Sequence, residues 1–155
     1  MDVREKTKAA STTDNTSEGQ ARGLSNAKRI TLLVIGDVLV FLIFSAIGRR
    51  SHGEAAGLDA LVQIAFTAAP FAIGWFIVSP FVGAFRRGLE VQPGKMALRT
   101  VLAWVAAWPV GLLIRGLIEW KVPPLSFALV TLISNTVFLL IWRWPFALVN
   151  SMRRR

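Results

Sequence analysis

Apolar residues in this chain follow neither the strand period nor the amphipathic helix period. They gather into four long blocks at about residues 30–48, 61–85, 97–118 and 125–149. A bilayer core of ~30 Å takes roughly 20 helical residues, and each block is long enough. The pattern predicts an all-α membrane protein, a bundle of four transmembrane helices. The connections, near residues 49–60, 86–96 and 119–124, are short, so consecutive helices are expected to be antiparallel neighbours. The first block begins late, is long for the apolar core of a signal, and is followed directly by Arg49-Arg50. It is therefore expected to be a retained helix rather than a cleaved leader.

Outside the blocks the chain changes character. Residues 1–27 carry Ser, Thr, Asp, Glu, Lys, Gly and Gln with no apolar period. Such a segment cannot bury enough surface to offset the entropy of ordering, and a disordered tail is expected. Asn15-Thr16-Ser17 matches a glycosylation sequon, which a cytoplasmic tail would leave unused. Residues 28–150 form the expected four-helix domain and residues 151–155 a basic C-terminus. Pro70, Pro80, Pro109 and Pro145 fall inside the later blocks, where each removes a backbone donor and favours a kink. Trp120 suits one membrane interface, Trp142 and Trp144 the other. Trp75, Trp104 and Trp108 lie deeper. Ala65, Ala69 and Ala72 would give the second helix a small-residue stripe for close packing.

Composition adds exclusions. Of the 155 residues, 54% are hydrophobic and only 17% charged, against about a quarter charged in soluble domains. There is no cysteine, which excludes disulfides, thiolate metal sites and cysteine nucleophiles. A single histidine leaves little for a histidine-rich metal site or a bis-histidine haem. No cofactor and no metal are expected.

The formal net charge of +9 is explained by topology. Lys and Arg number six ahead of the first block, four around the second connection and three at the C-terminus, against two in the first connection and one in the third. Four spans put thirteen of these on one side and three on the other. The positive-inside rule then places both termini in the cytoplasm and the protein in the cell membrane. Basic clusters beside spans are expected without nucleic acid, and none is assigned as a partner. The expected partners are a bilayer with anionic headgroups and a second copy or another membrane protein.

Apart from Arg99 at the edge of the third block, counted with the second connection, three charges sit within the blocks: Asp37, Arg115 and Arg143. Each costs about 2.5–3.5 kcal/mol at a helix centre on insertion scales. Asp37 is seven residues past Ile30, ~10 Å in from the cytoplasmic edge at ~1.5 Å per residue. Arg143 is six residues before Val149, ~9 Å from the same edge. Opposite charges at one level, on the first and fourth helices, predict an intramembrane polar pair. It is read first as a structural staple between the helices, and second as a proton or ion relay. Snorkelling of Arg143 to the headgroups is a third outcome.

Arg115 is ~27 Å along the third helix, near the outer surface, and Glu119 follows it at the i+4 position. Together with Arg49, Arg50 and His52 they form a candidate outer-side polar cluster for an anion or a lipid headgroup. The plainer reading is interfacial anchoring, with local pairing to Glu54 and Glu119. Ser51, His52 and Glu54 do not make a triad, since adjacency in sequence does not build that geometry. Asn135, near mid-membrane, is a candidate for a hydrogen bond across helices.

Gly36-Asp37 early in the first helix, "FSAIGRRSHG" at its exit, "AWPVGLLIRG" around Arg115 and "VTLISNTVFLLIWR" ending at Arg143 together resemble a prokaryotic integral-membrane family, domain of unknown function 3054. The resemblance covers about residues 28–150. It implies a four-helix membrane protein, mainly bacterial, and supplies no catalytic residues. Three function classes compete. The first is a non-catalytic structural or interaction subunit, favoured by the small spans and short connections. The second is a dimeric ion- or proton-coupled small-molecule transporter using Asp37. The third, an enzyme on a lipid-linked substrate, lacks any nucleophile–base or paired-carboxylate arrangement, so no enzyme is expected.

Overall fold

The computed structural model describes residues 25–51 and 57–153. The expected tail up to residue 24, His52, Glu54, Arg154 and Arg155 lie outside the described residues. The described chain forms four helices, α1 (Asn26–Ser51), α2 (Leu58–Val82), α3 (Pro93–Glu119) and α4 (Leu125–Arg153), with one 3-10 turn at Leu89–Val91 and no strand. All four are long and apolar enough to cross a membrane. The protein is a multi-pass, all-α membrane protein.

The helix ends have local causes. At the start of α1, Ser25 acts as the cap: its Oγ accepts the Lys28 N–H and its carbonyl accepts the Arg29 N–H. The helix thus begins at Asn26, inside the segment expected to be tail. Helix α2 stops at Val82 rather than 85 because Gly83 takes the left-handed conformation, φ 80°. The Gly83 N–H donates to the Pro80 carbonyl and the Ala84 N–H to the Ser79 carbonyl, the paired bonds of a Schellman end. Helix α3 opens with Pro93 in its first turn, where a missing N–H costs nothing. Pro70, Pro80, Pro109 and Pro145 all lie inside uninterrupted helices.

Helices α1 and α2, α2 and α3, α3 and α4, and α4 and α1 pack against each other, closing a ring of four. The segregation of polarity is the reverse of a soluble bundle. Ile35, Leu39, Ile43 and Ile47, at i+4 spacing on α1, are each about half exposed, whereas Asp37, Thr100, Thr131, Asn135 and Arg143 are buried. Aromatic rings fill the centre. Phe41 lies 5.5 Å from Trp104 and 6.4 Å from Trp75, and Phe71 lies 6.3 Å from Trp104. The Trp104 indole N–H donates to the Leu132 carbonyl at 3.0 Å, so this polar handle is satisfied within the bundle.

The expected small-residue stripe on the second helix holds only in part. Ala72 packs against the core but Ala65 is exposed, and α2 turns Ala68, Phe71, Gly74 and Trp75 inward. Glycine lies on glycine between α2 and α3. A Cβ on Gly74 would stand 2.9 Å from the Gly111 backbone nitrogen and 3.0 Å from the Ala107 carbonyl oxygen. Helix α3 therefore lies directly on α2 at this level, which is how membrane helices gain contact without a hydrophobic driving force. Trp142 packs on α1, its ring occupying the space of the side chain that Gly36 lacks.

Candidate functional site

Asp37 and Arg143 meet. Helix α1 carries the carboxylate and α4 the guanidinium, and both are fully buried. Arg143 Nε donates to Asp37 Oδ1 at 2.8 Å and Nη2 to Oδ2 at 2.5 Å, a bidentate pair. A third donor arrives from α2: Trp75 Nε1 reaches Asp37 Oδ2 at 2.9 Å. The third donating nitrogen of Arg143, Nη1, bonds the Ala84 carbonyl at 3.0 Å. The guanidinium also stacks on two rings, 4.9 Å from the centroid of Trp75 and 4.7 Å from that of Phe85. One latch thus ties α1, α2, the α2–α3 connection and α4. Desolvating two charges is expensive, and only close geometry with further hydrogen bonds offsets it. Both conditions are met here.

Two more arginines hold the same connection. Arg29 of α1, 3% exposed, donates to the Phe85 carbonyl at 3.0 Å and the Arg86 carbonyl at 3.2 Å. It also faces Glu90 at 3.6 Å. Glu90 in turn accepts the Gly88 N–H at 2.8 Å. Arg99 of α3 donates to the Val82 carbonyl at 2.8 Å. A helix leaves its last carbonyls without intrahelical partners. The last carbonyl of α2, at residue 82, and the connection carbonyls at residues 84, 85 and 86 are met by arginines from the three other helices. The connection is clamped.

At the opposite end, Arg115 pairs with Glu119 on its own helix at 2.7 Å and lies 4.5 Å over the Phe127 ring of α4. Glu119 is exposed, so the pair is worth only about 0.2–0.5 kcal/mol. Arg49 is half-buried and Arg50 exposed at the end of α1. Of the five residues of the expected outer cluster, Arg115 and Glu119 are in contact, and His52 lies outside the described residues. Among the described residues no three His, Cys, Asp or Glu side chains gather as metal ligands.

Buried polar atoms continue along the bundle axis. Thr131 Oγ1 accepts the Trp108 indole N–H at 3.2 Å and donates to the Ala128 carbonyl. Asn135 donates to the Thr131 carbonyl one turn back on its own helix, rather than across helices. Asn135 Oδ1, Ser45 Oγ, Ser79 Oγ and Trp142 Nε1 are buried with no hydrogen-bond partner.

A family model described as protein of unknown function, DUF3054, matches residues 34–146. The chain belongs to this family. Asp37, Trp75 and Arg143 all lie within the DUF3054 match, whereas Arg29 and Arg153 lie outside it. No curated protein and no solved structure matches the chain.

Reading charges alone left out three parts of this DUF3054 site. Trp75 is seven residues before the end of α2 at Val82, ~10 Å in, which is the depth of Asp37. That signal was available. Arg29 counts equally well as a topogenic charge, and Glu90 sits in a polar connection; nothing in their spacing marks them as buried.

Proposed function

We propose that this is a non-catalytic membrane subunit, a rigid four-helix body with a structural or interaction role. The observation that carries the reading is the saturation of Asp37. Its carboxylate accepts three hydrogen bonds and the guanidinium opposite donates three. A relay carboxylate must exchange its proton with water or substrate, and this one is enclosed by donors and rings. The competing reading is a proton-coupled transporter. It draws on the unpartnered Ser45 and Asn135 oxygens deeper in the bundle.

Proton flux separates the two readings. Liposomes containing the protein are given a pH gradient and followed with an internal pH dye. The expected result is decay at the rate of empty liposomes, unchanged by Asp37→Asn. Faster decay with the wild type that Asp37→Asn abolishes would replace the structural reading by the transporter.

The same proposal places both termini in the cytoplasm. It is supported by the count of thirteen basic residues against three and by the gathering of Leu33, Leu89, Met96 and Ala147 in one cluster at the end of the bundle that carries the termini. Reporter fusions at residue 155 and near residue 54 are expected to report opposite sides, with residue 155 inside. A C-terminal reporter active only outside would reverse the orientation.

A further inference from the structure

The seam between α1 and α4 carries a groove on the outside of the ring. Its deep end is at Ile43 and Phe138, and its other end at Asn150 and Arg153. Trp142 lines its whole middle, lying over Gly36, where any side chain would collide with the indole. The walls are Leu39, 51% exposed, and Ile141, 63% exposed.

The length of the groove discriminates between occupants. Along α4 it runs from residue 138 to 153, fifteen residues and so ~22 Å. A bilayer with its headgroups is ~40–45 Å thick, so one leaflet is ~20–22 Å. A transmembrane helix of a second copy would need ~30 Å of seam, yet α4 continues to Leu125 beyond the groove. The groove is also graded. It is apolar over its deep part, and Arg153, with no ion pair among the described residues, stands at its mouth.

We propose that this groove is a binding site for one anionic glycerophospholipid of the leaflet next to the termini. An acyl chain lies along Leu39, Trp142 and Ile141, and the phosphate headgroup meets Arg153. The site rests on the apolar exterior facing lipid, not on the structural reading of Asp37, and it holds for subunit and transporter alike.

The test is native mass spectrometry of the detergent-purified protein titrated with phosphatidylglycerol or phosphatidylcholine at equal mole fractions. One phosphatidylglycerol is expected to be retained about fivefold over phosphatidylcholine, the scale of one basic contact with an anionic headgroup. Arg153→Glu should erase the preference with Arg154 and Arg155 left in place. Leu39→Trp should reduce retention of both lipids; if that variant does not fold, Ile43→Trp blocks the deep end instead. Equal retention of the two lipids by the wild type overturns the proposal, as does a preference that survives Arg153→Glu. Leu39→Cys, in a chain with no other cysteine, gives a third result. A disulfide-linked dimer on mild oxidation would assign the groove to a second copy and overturn the lipid, whereas a monomer is expected.

Discussion

Asp37→Asn and Arg143→Gln are each expected to destabilise the protein in detergent by about 3–5 kcal/mol, the cost of stranding one partner of a buried ion pair. The double mutant is expected to lose less than the sum of the two. In Asp37→Asn the guanidinium keeps the Ala84 carbonyl and its two rings but loses its counter-charge where water does not reach it. In Arg143→Gln the carboxylate keeps only the Trp75 N–H. With both replaced, neither charge is stranded, and the coupling appears as a deficit of about 0.5–3 kcal/mol relative to additivity. Thermal unfolding in one detergent, with all four proteins compared, gives the cycle. Additive losses would mean that the observed contact carries no net coupling. Arg143→Lys sharpens the result. Lysine keeps the charge but has neither the fork for two carboxylate oxygens nor the flat face for Trp75 and Phe85, so most of the loss should remain.

The latch was half legible in the sequence. A charge inside an apolar block is conspicuous because its cost in hydrocarbon demands a partner, and helical rise turns position into depth. Those two facts bring Asp37 and Arg143 to one level. Trp75 carries no charge, so the cost argument passes over it although its depth matches. The Ala84, Phe85 and Arg86 carbonyls are beyond any side-chain argument, because they become acceptors only once Gly83 ends α2. Span existence was legible for the same reason as the charges: block length against bilayer thickness is a strong constraint. Which face of α2 turns inward was not. In lipid the exterior is as apolar as the interior, so the period that reveals the buried face of a soluble helix is weak here. The alanine stripe at residues 65, 69 and 72 failed at Ala65 on that account, although Ala72 packs against the core. Ala68 and Gly74, which are buried, are as small as the alanines of the stripe, so size does not tell them apart.

That failure makes the Gly74–Gly111 crossing the second place where a small change should have a large effect. Gly74→Ala is expected to cost about 1–3 kcal/mol in detergent, the range for overpacking a close-fitted core, and Gly74→Val more. The added Cβ meets the backbone of α3 at two places, the Gly111 nitrogen and the Ala107 carbonyl oxygen, so no rotamer change relieves it. Helices α2 and α3 must separate, and the separation acts on the Phe71, Trp75 and Trp104 rings packed at the same crossing. Intrinsic propensity works the other way, since alanine in a helix interior is favoured over glycine by about 0.8–1.0 kcal/mol. Gly48→Ala isolates that opposing contribution, because nothing lies within 4 Å of a Cβ there, and it should be neutral or slightly stabilising. The difference between the two variants therefore measures the crossing itself. If Gly74→Ala melts with Gly48→Ala, the two helices are free to move apart. The latch would then sit on a looser frame than the contact geometry describes, because Trp75 reaches Asp37 from the turn of α2 that Gly74 holds against α3.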